Sequence, residues 1–212
     1  MCAHYEVNDA VLAGFSQLKL PLQWTGFRQA WPKYQMPIIR LNEAGEQILE
    51  FRGWGFIRRW PGKSGKLVTH VLNNAKGEEV SEKKSFKSAF KIARCLIPLS
   101  AWFEWSDMDG VKRNYRLTMK NKPYFAAGGL YEVSKDPKTE LPIETFTMVT
   151  IAPGANSPIE KVHQRAPFLL SEEDYDHWLD PSFQFPQALI SPYPRQDQLI
   201  AAPVVEHADD KQ

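Results

Sequence analysis

The feature that most constrains this chain is a change of hydrophobic period at Arg94. Downstream of it, 95–99, 101–105, 114–119, 124–131 and 145–151 are short aromatic or β-branched runs, bounded by turns such as Asp107-Met108-Asp109-Gly110. They read as strands of a mostly antiparallel sheet, curled into a barrel-like core. Upstream, 34–40 and 46–52 read as strands joined by Asn42-Glu43-Ala44-Gly45, and 70–72 as a short strand. Helices are few. Val11, Leu12, Phe15 and Leu18 recur at helical spacing behind Asn8, a good cap. Phe86, Ala89, Phe90 and Ala93 do so around 81–92, with lysines on the other face. Ser171 with Asp174 has the form of a capping box opening a helix through Leu179. The proline-rich stretch 181–194 reads as an extended surface linker, and 199–205 as a final strand. The expected fold is therefore α+β: one domain over 1–205, a few flanking helices, and an acidic tail, 206–212, that frays.

Composition narrows the function classes. The 212 residues, 43% hydrophobic and 24% charged, suit one sizeable soluble core. No apolar run spans a bilayer and the N-terminus lacks the basic and apolar regions of a signal peptide, so a cytoplasmic protein without a membrane partner is expected. With only Cys2 and Cys95 there is no disulfide framework or multi-cysteine zinc site, and no histidine pair has metal-ligand spacing. No metal or cofactor is expected, and Cys95, in an apolar strand, reads as core. The net charge of +1 hides an asymmetry: residues 58–94 carry ten basic side chains against three acidic ones, leaving the remainder acidic. This fits an anion-binding face, although a solvated helix face explains Lys83 to Lys91 equally well. The loop Pro61-Gly62-Lys63-Ser64-Gly65-Lys66 lacks the spacing of a Walker motif.

Four residues stand out chemically. Cys2 follows the initiator methionine, and it is small enough for normal methionine removal, which would leave a free α-amine and a thiol on one residue. Glu104 lies between Phe103 and Trp105 in a strongly apolar strand. Alternation puts it on the face of Trp102, so it is either a solvated acid or a buried one with a raised pKa, suited to proton transfer. His163, ahead of Arg165 and Pro167, is a neutral-pH acid or base, or simply structural. Asn74 is either a turn residue or a hydrogen-bonding side chain. Most of the seven tryptophans read as core, while a few on a basic face would stack unpaired bases.

Several stretches in order along the chain resemble the SOS response-associated peptidase family, the abasic-site-sensing proteins. They are Met1-Cys2; Pro32 and Pro37 followed by Ile38-Ile39-Arg40; Trp54-Gly55-Phe56-Ile57 through Trp60; Asn74-Ala75-Lys76 with Glu78; Trp102-Phe103-Glu104-Trp105; Thr150 with Ala155-Asn156; and His163-Gln164-Arg165-Ala166-Pro167. The resemblance implies the family fold and a reaction in which N-terminal Cys2 captures the ring-opened aldehyde of an abasic site in single-stranded DNA, first as a Schiff base and then as a thiazolidine. Glu104 and His163 would move protons and Asn74 would hold the Cys2 backbone. It also implies autocatalytic removal of a leader peptide and a DNA lyase activity. His4, Trp54, Arg58, Arg59, Lys76, Thr150 and Arg165 are the DNA contacts it suggests, on a monomer.

The chain departs from the family pattern at Ala3-His4, where Gly-Arg is usual, at Lys76 for arginine, at Arg28-Gln29 for Tyr-Asn and at Ala166 for methionine. Lysine lacks arginine's bidentate grip on phosphate, so the covalent chemistry is better specified than the DNA contacts. Two other readings compete: a thiol peptidase using Cys2 and His163, and a noncatalytic single-stranded or modified-DNA reader.

Overall fold

A computed structural model describes residues 2–15, 28–108, 110–137 and 139–204. The chain opens with β1 (Tyr5–Val7) and α1 (Asp9–Gly14). Asn8 caps α1 as expected, its Oδ1 accepting the Val11 N–H at 3.2 Å. Leu18, expected on the same helix, lies outside the described residues. After β2 (Arg28–Ala30), β3 (Gln35–Leu41) and β4 (Gln47–Trp54) form an antiparallel hairpin in which Arg40 faces Ile48. Its turn is built by Asn42, whose Oδ1 receives the N–H groups of Ala44 and Glu46 at 3.0 and 2.9 Å.

A two-stranded ribbon follows, β5 (Phe56–Pro61) with β6 (Leu67–Leu72), so the strand expected at 70–72 starts earlier. Asn74 is not in a turn. It opens β7 (Asn74–Lys76), which runs parallel to β12 (Pro142–Ile151). The helix expected over 81–92 is only α2 (Lys87–Ile92). Buried Val80 and Phe86 are not at helical spacing from each other, and the continuous apolar stripe starts at Phe86.

The remaining strands are β8 (Arg94–Leu99), β9 (Ala101–Met108), β10 (Val111–Met119) and β11 (Phe125–Lys135) before β12, then β13 (Ala166–Pro167), β14 (Leu169–Leu170) and β15 (Leu199–Pro203). Helix α3 (Tyr175–Leu179) ends where expected, but the Ser171 side chain makes no capping hydrogen bond and a 3-10 turn precedes the helix. The stretch 181–194 is not an extended linker. It holds α4 (Pro186–Leu189), started by a proline in the first turn, and packs Tyr193 into the core.

Pairing in the order β12-β4-β3-β8-β11 and back to β12 closes the larger sheet on itself, antiparallel except where β12 meets β4 and β7. A second sheet has the order β15-β10-β9-β1-β2. The chain crosses between them at Ser100, whose N–H donates to Glu6 O at 2.8 Å and whose hydroxyl donates to Glu6 Oε1 at 2.8 Å. The fold is thus α+β, one domain with a curled, barrel-like core. Trp54, Trp102, Trp178, Tyr5, Phe56 and Phe146 are fully buried in it, as is Cys95. Among the described residues, no helix is long and apolar enough to cross a membrane.

Gly55 joins the barrel to the ribbon at φ +123°, its N–H donating to Phe146 O at 2.7 Å. A Cβ there would lie 2.3 Å from Val71 Cγ1. Backbone strain and contact together make Gly55→Ala cost about 1–3 kcal/mol. Urea unfolding should show this as a lower midpoint with an unchanged slope, and an unshifted midpoint would refute it.

Candidate functional site

The seam between the closed barrel and the second sheet brings together the four residues singled out by chemistry. Cys2 lies just ahead of β1 with its side chain fully buried. Its carbonyl accepts hydrogen bonds from Asn74 Nδ2 at 2.7 Å and from Asn73 Nδ2 at 3.3 Å. Its thiol donates to His4 O at 3.7 Å. Burial, then the nearby Glu104 charge, push the thiol pKa far above its ordinary value, so the sulfur stays protonated at neutral pH.

Glu104 is carried by β9, the direct neighbour of β1. Strand alternation turns it inward with Trp102, while Trp105 points out, 52% exposed. The solvated alternative is therefore excluded: Glu104 is 4% exposed, and burial raises its pKa to about 7. His163 approaches from the loop after β12, its Nδ1 3.9 Å from Glu104 Oε2. The same Nδ1 is 3.0 Å from Arg165 N and 2.9 Å from Arg165 O, so the backbone offers a partner to either tautomer. Burial lowers the His163 pKa, leaving the ring neutral at pH 7.

Of the DNA contacts suggested by resemblance, several have internal partners. Trp54 is fully buried and donates Nε1–H to Asn73 O at 2.8 Å, so it cannot stack on a base. Arg58 forks onto Glu132, with Nη2 2.7 Å from Oε2, and gives another hydrogen bond to Ser85 O at 2.7 Å. Arg165 pairs with both oxygens of Glu78 at 2.8 Å and also donates to Thr150 O. That pairing, Arg165 foremost, pulls the Glu78 carboxyl down to about 2. Thr150 is 1% exposed within this brace, which stands behind His163.

His4 is sandwiched between Trp31, at 3.9 Å between ring centroids, and Phe103, at 4.1 Å. Burial lowers its pKa to about 4, so at neutral pH it offers no positive charge to a phosphate. Arg59 and Lys76 do reach the surface, Lys76 with Glu79 at 3.7 Å. Exposed aromatic side chains include Trp31, Tyr34, Trp60, Trp105 and Phe185, with Trp60 stacked on His70 at 3.8 Å. Beside Asn74 lies a cavity of about 270 Å³ lined by Trp60, Leu72, Lys76, Lys83 and Phe86, among others.

The basic excess of 58–94 therefore divides. Arg58 and buried Arg94 serve the interior, the latter donating to Trp178 O at 2.6 Å, whereas the lysines stay at the surface. Asn73 is the contributor that sequence reasoning passed over. Only its place beside Asn74 could have signalled it, since its reach to Cys2 depends on tertiary contacts. Among the described residues, no group of three or more His, Cys, Asp or Glu is placed to hold a metal ion.

The comparisons bear on fold and family. The profile described as SOS response associated peptidase (SRAP) matches residues 1–209. A Bacillus subtilis relative, abasic site processing protein YoqW, is 34% identical over 161 residues, covering 74% of this chain and 70% of its own. A crystal structure from Bordetella bronchiseptica superposes with a TM-score of 0.79 at 23% identity, covering 97% of this chain and all of that one. Another, from Bacteroides thetaiotaomicron, has a TM-score of 0.77 at 21% identity, with 96% and 92% covered. The two structures speak for the fold, while the profile and the relative speak for descent. The chain belongs to the SOS response associated peptidase family.

Proposed function

We propose that Cys2, freed of Met1, captures abasic sites in single-stranded DNA covalently. The observation that carries this reading is the enclosure of Cys2: carbonyl pinned by Asn74, with a buried acid of pKa about 7 and a neutral histidine beside it. The α-amine, with an ordinary pKa of about 7.7–8.0, has an appreciable neutral fraction at pH 7 and attacks the open-chain aldehyde. Loss of water from the carbinolamine gives the iminium, with protonated Glu104 supplying the proton that leaves in the water. The Cys2 sulfur then adds to the iminium carbon and its proton passes to the Glu104–His163 pair, closing a thiazolidine. Loss of the 3′-phosphate by β-elimination from the same iminium would be the lyase branch, and sulfur addition competes with it.

The raised thiol pKa supports an amine-first order over a thiol peptidase built on Cys2 and His163. That enzyme needs a thiolate, and this site disfavours one. The cavity beside Asn74 offers the aromatic surface of Trp60 to an adjoining nucleotide, and its Lys76 and Lys83, both paired with Glu79 of the same lining, would exchange that carboxylate for a phosphate.

The test is to incubate protein whose mass shows Met1 absent with single-stranded DNA bearing one abasic site. The expected result is a band of slower mobility that survives denaturant. Protein retaining Met1 should give none, because its cysteine amine is in a peptide bond. Absence of any adduct from the processed protein would overturn the proposal.

A further inference from the structure

We infer that Asn73, latched by the Trp54 indole, is a positioning residue that aims the Cys2 amine. The inference rests on the covalent chemistry proposed above and adds the device that orients it. Asn73 lies between β6 and β7, outside both ladders, yet its carbonyl accepts from Trp54 Nε1 at 2.8 Å and from Met148 N at 3.1 Å. With its backbone held from two sides, its side chain reaches Cys2 O at 3.3 Å, beside Asn74 Nδ2 at 2.7 Å. A carbonyl oxygen has two acceptor sites, and two asparagine amides occupy them here.

The latch is itself fixed. Trp54 N–H donates to Tyr34 O at 2.9 Å, Trp54 O accepts from Lys33 N at 2.7 Å, and the indole meets the Tyr5 ring edge-on at 4.9 Å. A run of contacts thus leads from rigid β4 through Asn73 to Cys2. That matters because an amine at residue 2 is a chain end, and chain ends fray unless tied down. Cys2 precedes β1, so no strand pairing holds it. Fixing its carbonyl fixes the Cα–C direction, and the buried side chain limits rotation about that bond, so together they set the side from which the amine leaves.

Because Asn73 donates to protein and not to DNA, its loss should appear in the rate at saturating DNA, without a change in half-saturation. Asn73→Ala is expected to slow crosslinking about 3- to 10-fold, the range of one hydrogen bond of net worth. Asn73→Gln, which keeps an amide donor, should recover part of that loss. Trp54→Phe keeps an aromatic ring of smaller volume at this buried position and removes the N–H, and should slow the reaction through the same route. In a double-mutant cycle, Trp54→Phe should then cost little more once Asn73 is alanine. All rates are taken below the thermal transition of each variant, with DNA affinity measured separately by anisotropy on an unreactive strand.

If the parent forms no adduct, the covalent reading itself fails. If the parent reacts and Asn73→Ala matches its rate, the positioning role is overturned while the chemistry stands. A rise in half-saturation with an unchanged saturated rate would make Asn73 a DNA contact and equally overturn it, and strictly additive losses would remove the latch.

Discussion

Cys2→Ala, with Met1 removed, yields no denaturant-stable adduct with an abasic strand unless a reductant is added. Alanine, like cysteine, permits methionine removal, so the variant still presents an α-amine at residue 2. That amine still condenses with the aldehyde, and borohydride should trap the product as a secondary amine. What the variant lacks is the sulfur that converts a hydrolysable C=N bond into a saturated ring. The expected loss of unreduced adduct is therefore complete, while the trapped yield stays within about 10-fold of the parent, since amine attack needs no thiol. Strand cleavage should rise in the variant, because the iminium then persists long enough to eliminate phosphate. Gel electrophoresis with and without borohydride reads all three quantities. An unreduced adduct of undiminished yield would place the link on another residue.

The split between amine and sulfur also shows what the sequence could and could not convey. The strands after Arg94 were legible as short aromatic or β-branched runs bounded by turns: β8 is buried at all six positions and β11 and β12 over continuous stretches, and alternation shows only locally, as in Trp102 and Glu104 inward and Trp105 outward. The same alternation located Glu104 on the inner face but left its solvation open, since that depends on β1 arriving alongside β9. The internal partners of Trp54 and Arg58 were hidden for a related reason. An indole N–H or a guanidinium has the same composition whether it faces a nucleotide or an internal partner, and here the partners are Asn73 O and Glu132. The charge state of His4 was hidden too: burial, with the ring stacked between Trp31 and Phe103, desolvates it, and no local pattern announces that. Helix limits were blurred wherever lysines and glutamates surround sparse apolar anchors, as before α2.

Glu104→Gln should leave a protein that is more stable above neutral pH and far slower in crosslinking. The carboxyl titrates near about 7 in the fold against an ordinary 4.5, and burial is the leading cause. Below pH 4.5 the acid is protonated in both folded and unfolded chains, so burying it costs nothing in charge. Between 4.5 and about 7 the unfolded chain releases its proton while the folded one keeps it, so stability falls as pH rises. Above about 7 the full cost is present, roughly 3 kcal/mol. Glutamine is neutral throughout, so urea midpoints of parent and variant should converge in acid and separate in favour of Glu104→Gln in alkali. Parallel midpoints across that window would show that Glu104 carries no such cost.

The kinetic side runs the other way, because glutamine can neither give up nor take a proton during carbinolamine breakdown. A fall of about 100-fold or more is expected from the usual worth of a positioned acid or base. The parent rate should climb with the free amine and turn down as Glu104 loses its proton. The variant should keep only the rising limb, set by the amine at about 7.7–8.0. A buried acid retained at a stability cost, and repaid in rate at working pH, is what a proton-transfer role requires, and a purely structural glutamate would show neither the alkaline limb nor the trade.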